Sequence, residues 1–177
     1  MNENLRARTA QKLRYAQLHL EELAAMPSGR GHDFERAHHE AVLAQLIGVY
    51  DAFLAELNDI LRCGRGPNDI SVGKLRESLK AQGRSSPVLS RLHQMREDAT
   101  CWLRNLLDLR HTSTHISGIP LAFYAGGVKD GKTAFKHPTT LEEFPDDAVA
   151  TLATWVDSMG SLTNELRALA VVEAAGK

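Results

Sequence analysis

Apolar residues recur every three or four positions along most of the chain, which is the spacing of one face of an α-helix. The first such stripe predicts a helix from about Asn4 to Met26, which the turn-forming residues Pro27, Ser28 and Gly29 end. The stripe consists of Leu13, Ala16, Leu20 and Leu23. This segment is therefore expected to pack as an amphipathic helix.

A second and longer stripe follows, and Asp33 is expected to cap its helix, which Gly64 ends. The stripe consists of Val42, Leu46, Val49, Phe53, Leu57 and Ile60. After a turn at residues 64–68, Ser71 is expected to cap a short amphipathic helix that closes at Gly83. Two helices of unequal length are therefore predicted here.

A fourth pattern begins at Ser86 and Pro87, a typical pair at a helix start. It breaks or kinks between residues 97 and 100 and resumes from Trp102 to Ile116. The helical period then disappears between residues 119 and 140, where two short apolar segments flank Asp130-Gly131, a dipeptide typical of hairpin turns.

This interruption predicts a small β-hairpin or an ordered loop. An isolated hairpin is marginally stable, so we expect it to lie against the helices through Phe123 or Phe135.

Pro145 suits the first turn of a last helix, with Asp146 and Asp147 favourable at its positive end. The stripe of this helix consists of Val149, Leu152, Val156, Met159, Leu162, Leu166 and Leu169. We find no internal repeat or linker that would divide the chain. The pattern predicts one all-α domain over residues 1–177, a bundle of about five or six helices with a small hairpin or loop insertion before the last helix.

Composition and net charge indicate a globular protein that does not bind nucleic acid through overall charge. A chain of 177 residues with 43% hydrophobic and 24% charged residues is typical of one globular domain. Its net charge of -1 lacks the basic excess of proteins that bind nucleic acid by bulk electrostatics, so any contact with RNA must depend on a local site. We see neither a membrane span nor a secretory signal, and we expect a cytoplasmic protein in which Cys63 and Cys101 are reduced thiols in or near the core.

The segment from Cys101 to Ile116 carries two rows of side chains that begin apolar and end ionisable. One row is Trp102, Leu106 and Arg110, and the other is Leu103, Leu107, His111 and His115. Burying Arg or His without a partner costs several kcal/mol, so these groups are expected at a cavity, an interface or a surface beyond the core. The simpler interpretation is that the Arg and His residues only occupy the last turns of the helix, because cations are favourable at the negative end of the helix dipole.

The run from Leu109 to His115 resembles the signature of HEPN domains, which are all-α bundles with an Arg, a following polar residue and a nearby His on one helix. The resemblance implies a homodimer whose Arg and His residues meet in a cleft and cleave RNA without a metal or other cofactor. Other members of that superfamily are inactive or only bind. A toxin or defence role, with RNA as target and an antitoxin-type protein as partner, is implied as well.

The resemblance implies that Arg110 holds the scissile phosphate and that His115 acts on the attacking 2'-hydroxyl or on the leaving oxygen. His111 is then the polar residue after the Arg, and Ser113 and Thr114 support the site. A guanidinium suits phosphate because it is planar and always charged, and an imidazole suits proton transfer because its pKa lies near neutrality.

Other Arg and His residues have permitted spacings too. Arg104 is followed by Asn105, which fits the signature, and both residues are supporting polar candidates. However, the sequence separation between Arg104 and His111 is the longest that the signature permits. Arg14 and His19 have the right separation, although Tyr15 breaks the pattern. The segment 8–18 also resembles uncharacterised proteobacterial proteins of similar length, a likeness that implies no activity.

Two alternatives stand beside the nuclease hypothesis. His111 and His115 could be ligands of a metal completed by His38, His39 and Glu40, although the chain holds no recognised metal motif. The other alternative is a non-enzymatic interaction module, in which Arg110 and His115 point separately into solvent or are neutralised by acidic partners. Three lysines of the hairpin region could contact RNA phosphates or discourage strand pairing. They are Lys129, Lys132 and Lys136.

Overall fold

The computed structural model describes residues 2–26, 31–115, 118–125 and 131–176, and for residues 113–115 it describes the backbone. Within these residues the chain forms six helices and one two-stranded sheet. In chain order they are α1 (Glu3–Ala24), α2 (His32–Ile60), α3 (Val72–Ala81), α4 (Pro87–Glu97), α5 (Trp102–His115), β1 (Leu121–Phe123), β2 (Thr133–Phe135) and α6 (Ala148–Ala175). The predicted all-α bundle with a hairpin before its last helix is confirmed.

Helix α2 is the central element, because it packs against α1, α5 and α6. Its apolar stripe belongs to one continuous core cluster that also includes residues of the other five helices. Two glycines mark close approaches between helices. A Cβ atom on Gly48 would lie 3.1 Å from Lys12 Cδ, and one on Gly160 would lie 3.3 Å from Leu13 Cδ2. The long helices α1, α2 and α6 therefore form a tightly packed layer on which the shorter helices rest.

The predicted cap at Ser71 and the predicted helix start at Ser86 and Pro87 are both confirmed. Ser71 Oγ accepts a hydrogen bond from the backbone N–H of Lys74 at 3.2 Å, at the start of α3. Ser86 Oγ accepts one from the backbone N–H of Leu89 at 3.4 Å, at the start of α4. Each serine thus satisfies a backbone donor that has no partner within its own helix.

Two predicted helix starts are wrong by a few residues. Helix α2 begins at His32 with Gly31 as its N-cap, so Asp33 lies in the first turn, where its charge still favours the helix dipole. Helix α6 begins after Asp147, whose Oδ1 accepts a hydrogen bond from the backbone N–H of Ala150 at 2.9 Å. Pro145 therefore precedes the last helix instead of occupying its first turn.

The predicted break between α4 and α5 is a turn centred on Asp98. Asp98 Oδ1 accepts hydrogen bonds from the backbone N–H of Thr100 at 2.9 Å and from its hydroxyl at 2.7 Å. The turn redirects the chain so that α5 packs against both α4 and α2.

The hairpin contacts the helices through two aromatic residues, of which one is in the core. Phe135 on β2 is fully buried and lies with its ring nearly parallel to that of Trp155 of α6, 6.2 Å apart. Phe123 on β1 is 48% exposed. Phe123 also meets α2, since its ring centroid lies 4.4 Å from that of His32, so both predicted contacts are present and Phe135 is the buried one. Asp130 of the predicted turn lies outside the described residues.

Two expectations from composition concern thiols and membranes. Cys63 is buried and Cys101 is half-buried, and no disulfide joins them. Among the described residues, no helix is long and apolar enough to cross a membrane.

Candidate functional site

Helix α5 is fixed in the bundle by three leucines that have no solvent exposure. They are Leu103, Leu106 and Leu109. Leu107 of the predicted rows is half-buried and packs against the core, and Leu109, which lies outside both rows, is in the core as well. Just beyond this line of leucines, Arg110 is half-buried and His111 is exposed.

Arg110 lies where its positive charge acts on Asp51 of α2. The protein surrounding the Asp51 carboxyl raises its pKa, and the nearby Arg110 guanidinium opposes that rise. Asp51 nevertheless keeps an exposed face. Arg110 is therefore placed at the edge of the α2–α5 contact, next to an acid that is accessible to solvent.

The residue before Asp51 faces a second arginine. Tyr50 is buried, and this burial raises its pKa to about 12, while the charge of the nearby Arg96 of α4 opposes the rise. Two consecutive residues of α2 thus lie beside two arginines from different helices.

A third arginine connects α5 to the end of α4. Arg104 Nε donates to Asp108 Oδ2 at 2.7 Å, and its Nη1 donates to the backbone carbonyl of Arg96 at 3.1 Å. We call Arg96, Arg104 and Arg110 the arginine seam, since they follow the junction of α2, α4 and α5. Asp51 and Asp108 lie along it and offset part of its charge.

The remaining sequence-predicted residues divide into two groups. Asn105 Oδ1 is buried and accepts no hydrogen bond from any described group. The side chains of Ser113, Thr114 and His115 lie outside the described part of the chain, so their roles remain predictions. The backbone of α5 continues through His115.

The metal alternative centred on His38 and His39 gains no support. His39 is fully buried, and its Nε2 lies 3.9 Å from Glu35 Oε1, beyond hydrogen-bond distance. Burial lowers the pKa of His39 to about 4, and the neighbouring His38 lowers it further, so His39 is neutral near pH 7. In the described ranges, no three His, Cys, Asp or Glu side chains are arranged to hold a metal ion.

The acidic residues that lie beside the buried and half-buried arginines were not predicted from the sequence. Asp51 and Glu56 both interrupt the apolar stretch of α2, and an acid in such a stretch requires a cation or hydrogen-bond donors. Glu56 is buried and accepts from Arg167 Nε of α6 at 2.7 Å. The two acids were visible in the sequence, but their partners lie far away in the chain.

In the described residues, the protein is a six-helix bundle with a hairpin before its last helix. Its candidate site is the arginine seam at the junction of α2, α4 and α5. Residues 1–171 match the model of a protein family of unknown function, DUF6586, and the chain belongs to that family. No curated protein and no solved structure matches the chain. The family match gives no support to the HEPN resemblance, which depends on the α5 motif and the helical architecture.

Proposed function

We propose that this protein binds RNA at the α5 end of the arginine seam and, as a homodimer, cleaves it without a metal or other cofactor. Arg110 holds the scissile phosphate. His115 transfers the proton, and His111 contacts the same stretch of RNA, with Ser113 and Thr114 in support.

The observation that carries this proposal is the position of Arg110. Its guanidinium is half-buried beyond the leucine line of α5, beside the exposed His111 and in the same seam as two further arginines. A partly buried guanidinium keeps its charge and offers a planar fork of donors that matches phosphate oxygens. Asp51 is then a positioning residue for Arg110, and the bound phosphate competes with it for the guanidinium.

The proposed chemistry needs two proton transfers. A base removes the proton of the ribose 2'-hydroxyl, whose oxygen attacks the adjacent phosphorus, and an acid protonates the leaving 5'-oxygen. The products are a 2',3'-cyclic phosphate and a 5'-hydroxyl. In a homodimer, His115 of one protomer serves as the base and its copy in the partner serves as the acid.

The test is cleavage of a varied RNA pool in EDTA by the wild type and by the variants Arg110→Ala and His115→Ala, after circular dichroism shows that all are folded. We expect each variant to lose at least about 100-fold in rate, as is typical when a general acid–base or phosphate-holding group is removed. The wild-type products should carry 2',3'-cyclic phosphate ends.

Arg14 and His19 provide a matched control, since they have the same separation as Arg110 and His115 on a different helix. The variants Arg14→Ala and His19→Ala should cleave RNA as fast as the wild type. Cleavage that survives in folded Arg110→Ala and His115→Ala would exclude the proposed site.

The dimer is tested by light scattering at the assay concentration, where we expect twice the mass of one chain. If the protein is a toxin, an antitoxin-type protein that covers the end of α5 is its expected partner. A monomer that cleaves RNA at full rate would contradict the two-chain site.

A non-enzymatic interaction module is the second candidate, and the proximity of Asp51 to Arg110 favours it. In that case the cation and the acid serve mainly to join α2 to α5. The wild type would then neither bind nor cleave the RNA pool, while Asp51→Asn and Arg110→Ala would lower the urea midpoint of unfolding by similar amounts.

A further inference from the structure

A cavity of about 380 Å³ lies between α3 and the start of α4, and none of its lining residues belongs to α5. Small-molecule sites in proteins typically span about 300–1,000 Å³. Three cations line this cavity, namely Arg76, Lys80 and Arg84, together with the acid Glu77. Its size suits a small ligand and its charge suits an anion.

The positive charge of this cavity is not cancelled by its surroundings. Arg76 and Lys80 are exposed, and neither has an acidic partner in the part of the chain that the structure describes. Glu77 lies 3.6 Å from Lys74 Nζ and 3.9 Å from Arg65 Nη2, and both of these cations are outside the cavity lining. The acid is thus partly offset by other cations, which leaves the cavity electropositive.

Arg84 presents an unsatisfied donor. Its Nη1 donates to Gln82 Oε1 at 2.8 Å, whereas its Nε is buried and has no acceptor among the described groups. The guanidinium is always charged, and its terminal N–H groups form strong hydrogen bonds with anionic oxygens. Arg84 also lines a neighbouring cavity with Arg62, which adds a fourth cation nearby.

The start of α4 also contributes to the lining. Ser85, Ser86 and Ser90 line the cavity there, and the N-terminus of this 11-residue helix contributes partial positive charge. Ser86 Oγ donates to Glu173 Oε2 at 2.7 Å, and Ser90 Oγ donates to the backbone carbonyl of Ser86 at 2.9 Å. Since both hydroxyl protons are engaged, the cations of the lining are the donors expected to hold phosphate oxygens.

We propose that this cavity binds a small phosphorylated molecule, with its phosphate group between Arg76, Lys80 and Arg84. The ligand is a phosphate monoester of metabolite size, because a cavity of about 380 Å³ accommodates a sugar phosphate or a mononucleotide. The site is independent of Arg110 and of the proposed nuclease activity.

The test is an NMR titration of the ¹⁵N-labelled full chain at constant ionic strength, followed at the backbone amides of residues 84–90. The probes are ribose 5-phosphate, inorganic phosphate, and ribose as the neutral control. We expect saturable shifts with both phosphates and none with ribose or with added chloride. Absence of a saturable shift with ribose 5-phosphate would overturn the proposal.

Variants identify the residues involved. Arg76→Ala and Lys80→Ala, both at exposed positions, should each weaken ribose 5-phosphate binding by about threefold to tenfold, and Glu77→Gln should strengthen it. Arg14→Ala removes a cation from α1 and should leave binding unchanged. An equal loss in Arg14→Ala would show general charge attraction and exclude the cavity.

The phosphate could come from a small phosphate monoester or from a nucleic-acid backbone. A single-stranded RNA oligonucleotide without terminal phosphates distinguishes these two ligands, because it carries backbone phosphates only. If it shifts the amides of residues 84–90 with saturation while ribose 5-phosphate does not, the cavity belongs to a nucleic-acid backbone site, and the small-molecule proposal is overturned.

Discussion

At the scale of single residues, Glu56 is a buried acid that links several helices. Its buried carboxylate accepts from Arg167 Nε at 2.7 Å and from Nη2 at 3.2 Å, and it also accepts from the hydroxyl of Thr9. Thr9, Glu56 and Arg167 belong to α1, α2 and α6. One carboxylate thus joins the three long helices.

We expect Arg167→Ala to lower the free energy of unfolding by about 3–5 kcal/mol, because it leaves the Glu56 charge buried without its cation. The comparison is Arg14→Ala, which breaks the exposed ion pair with Glu21 and should cost less than about 1 kcal/mol. Urea unfolding of both variants measures the difference. Similar losses would show that the buried pair contributes no more than a surface pair.

His39 makes stability depend on pH. Its folded-state pKa is lowered from 6.5 to about 4, so between these values the unfolded chain binds the proton more readily. This contribution to stability is complete above the unfolded pKa and is lost as the pH falls from about 6.5 toward 4.

The variant His39→Leu isolates this effect. Between pH 7.5 and pH 5 the wild type should lose about 2 kcal/mol more stability than His39→Leu, since the contributions of the carboxylates cancel in the comparison. Urea midpoints at the two pH values provide the measurement. Equal pH dependence in both proteins would mean that His39 is protonated as easily when folded as when unfolded.

At the scale of elements, the hairpin depends on the bundle through β2. Phe135 is fully buried against the rings of His39 and Trp155, and Thr133 Oγ1 donates to Glu35 Oε1 of α2 at 2.6 Å. Strand β1 pairs with β2 and is more exposed.

Phe135→Ala should therefore destabilise the protein by about 3–5 kcal/mol, as is usual when a large aromatic side chain is removed from a core. Phe123→Ala, at the exposed position on the paired strand, should cost less than about 1 kcal/mol. Thermal unfolding of the two variants compares them directly. A larger loss in Phe123→Ala would reverse the assignment of the anchor.

Sequence reasoning succeeded for elements whose signals are local. Ser71 and Ser86 precede clear amphipathic stripes, so the cap at Ser71 and the helix start at Ser86 could be predicted from a few neighbouring residues. The starts of α2 and α6 were misplaced because several adjacent residues can cap a helix, and the tertiary path of the chain selects among them. The burial of Leu109 was not predicted. The buried face of α5 depends on its contacts with α2 and α4, and these contacts cannot be inferred from the hydrophobic pattern of α5 alone.

At the scale of the whole molecule, we propose that residues 1–177 fold as one domain. The two tryptophans, Trp102 of α5 and Trp155 of α6, contact the same core cluster from different helices. Urea unfolding followed by tryptophan fluorescence and by far-ultraviolet circular dichroism should give coincident transitions. Two separate transitions would show that part of the bundle unfolds independently.

The candidate site could be predicted less completely than the fold. Arg110 and His111 were found because they end an apolar pattern on one helix. Asp51 and Arg96 were not found, because their proximity to the site depends on contacts between distant parts of the chain. The cavity at α3 and α4 could not be predicted for the same reason. Its cations lie on two segments in which the pattern of charged residues is typical of an ordinary solvated surface.

The packing around the last turn of α2 also has a topological consequence. The backbone N–H of Asn2 donates to Asp59 Oδ2 at 2.9 Å, and Ala174 lines a cavity together with Ile60. The start of α1 and the end of α6 are therefore neighbours in space, and a short flexible linker would join them. The chain could then be reopened between Gly66 and Pro67, beyond the hydrogen bonds between Asn58 and Arg65. This bundle is thus a natural candidate for circular permutation, in which α3 becomes the first helix and α2 the last.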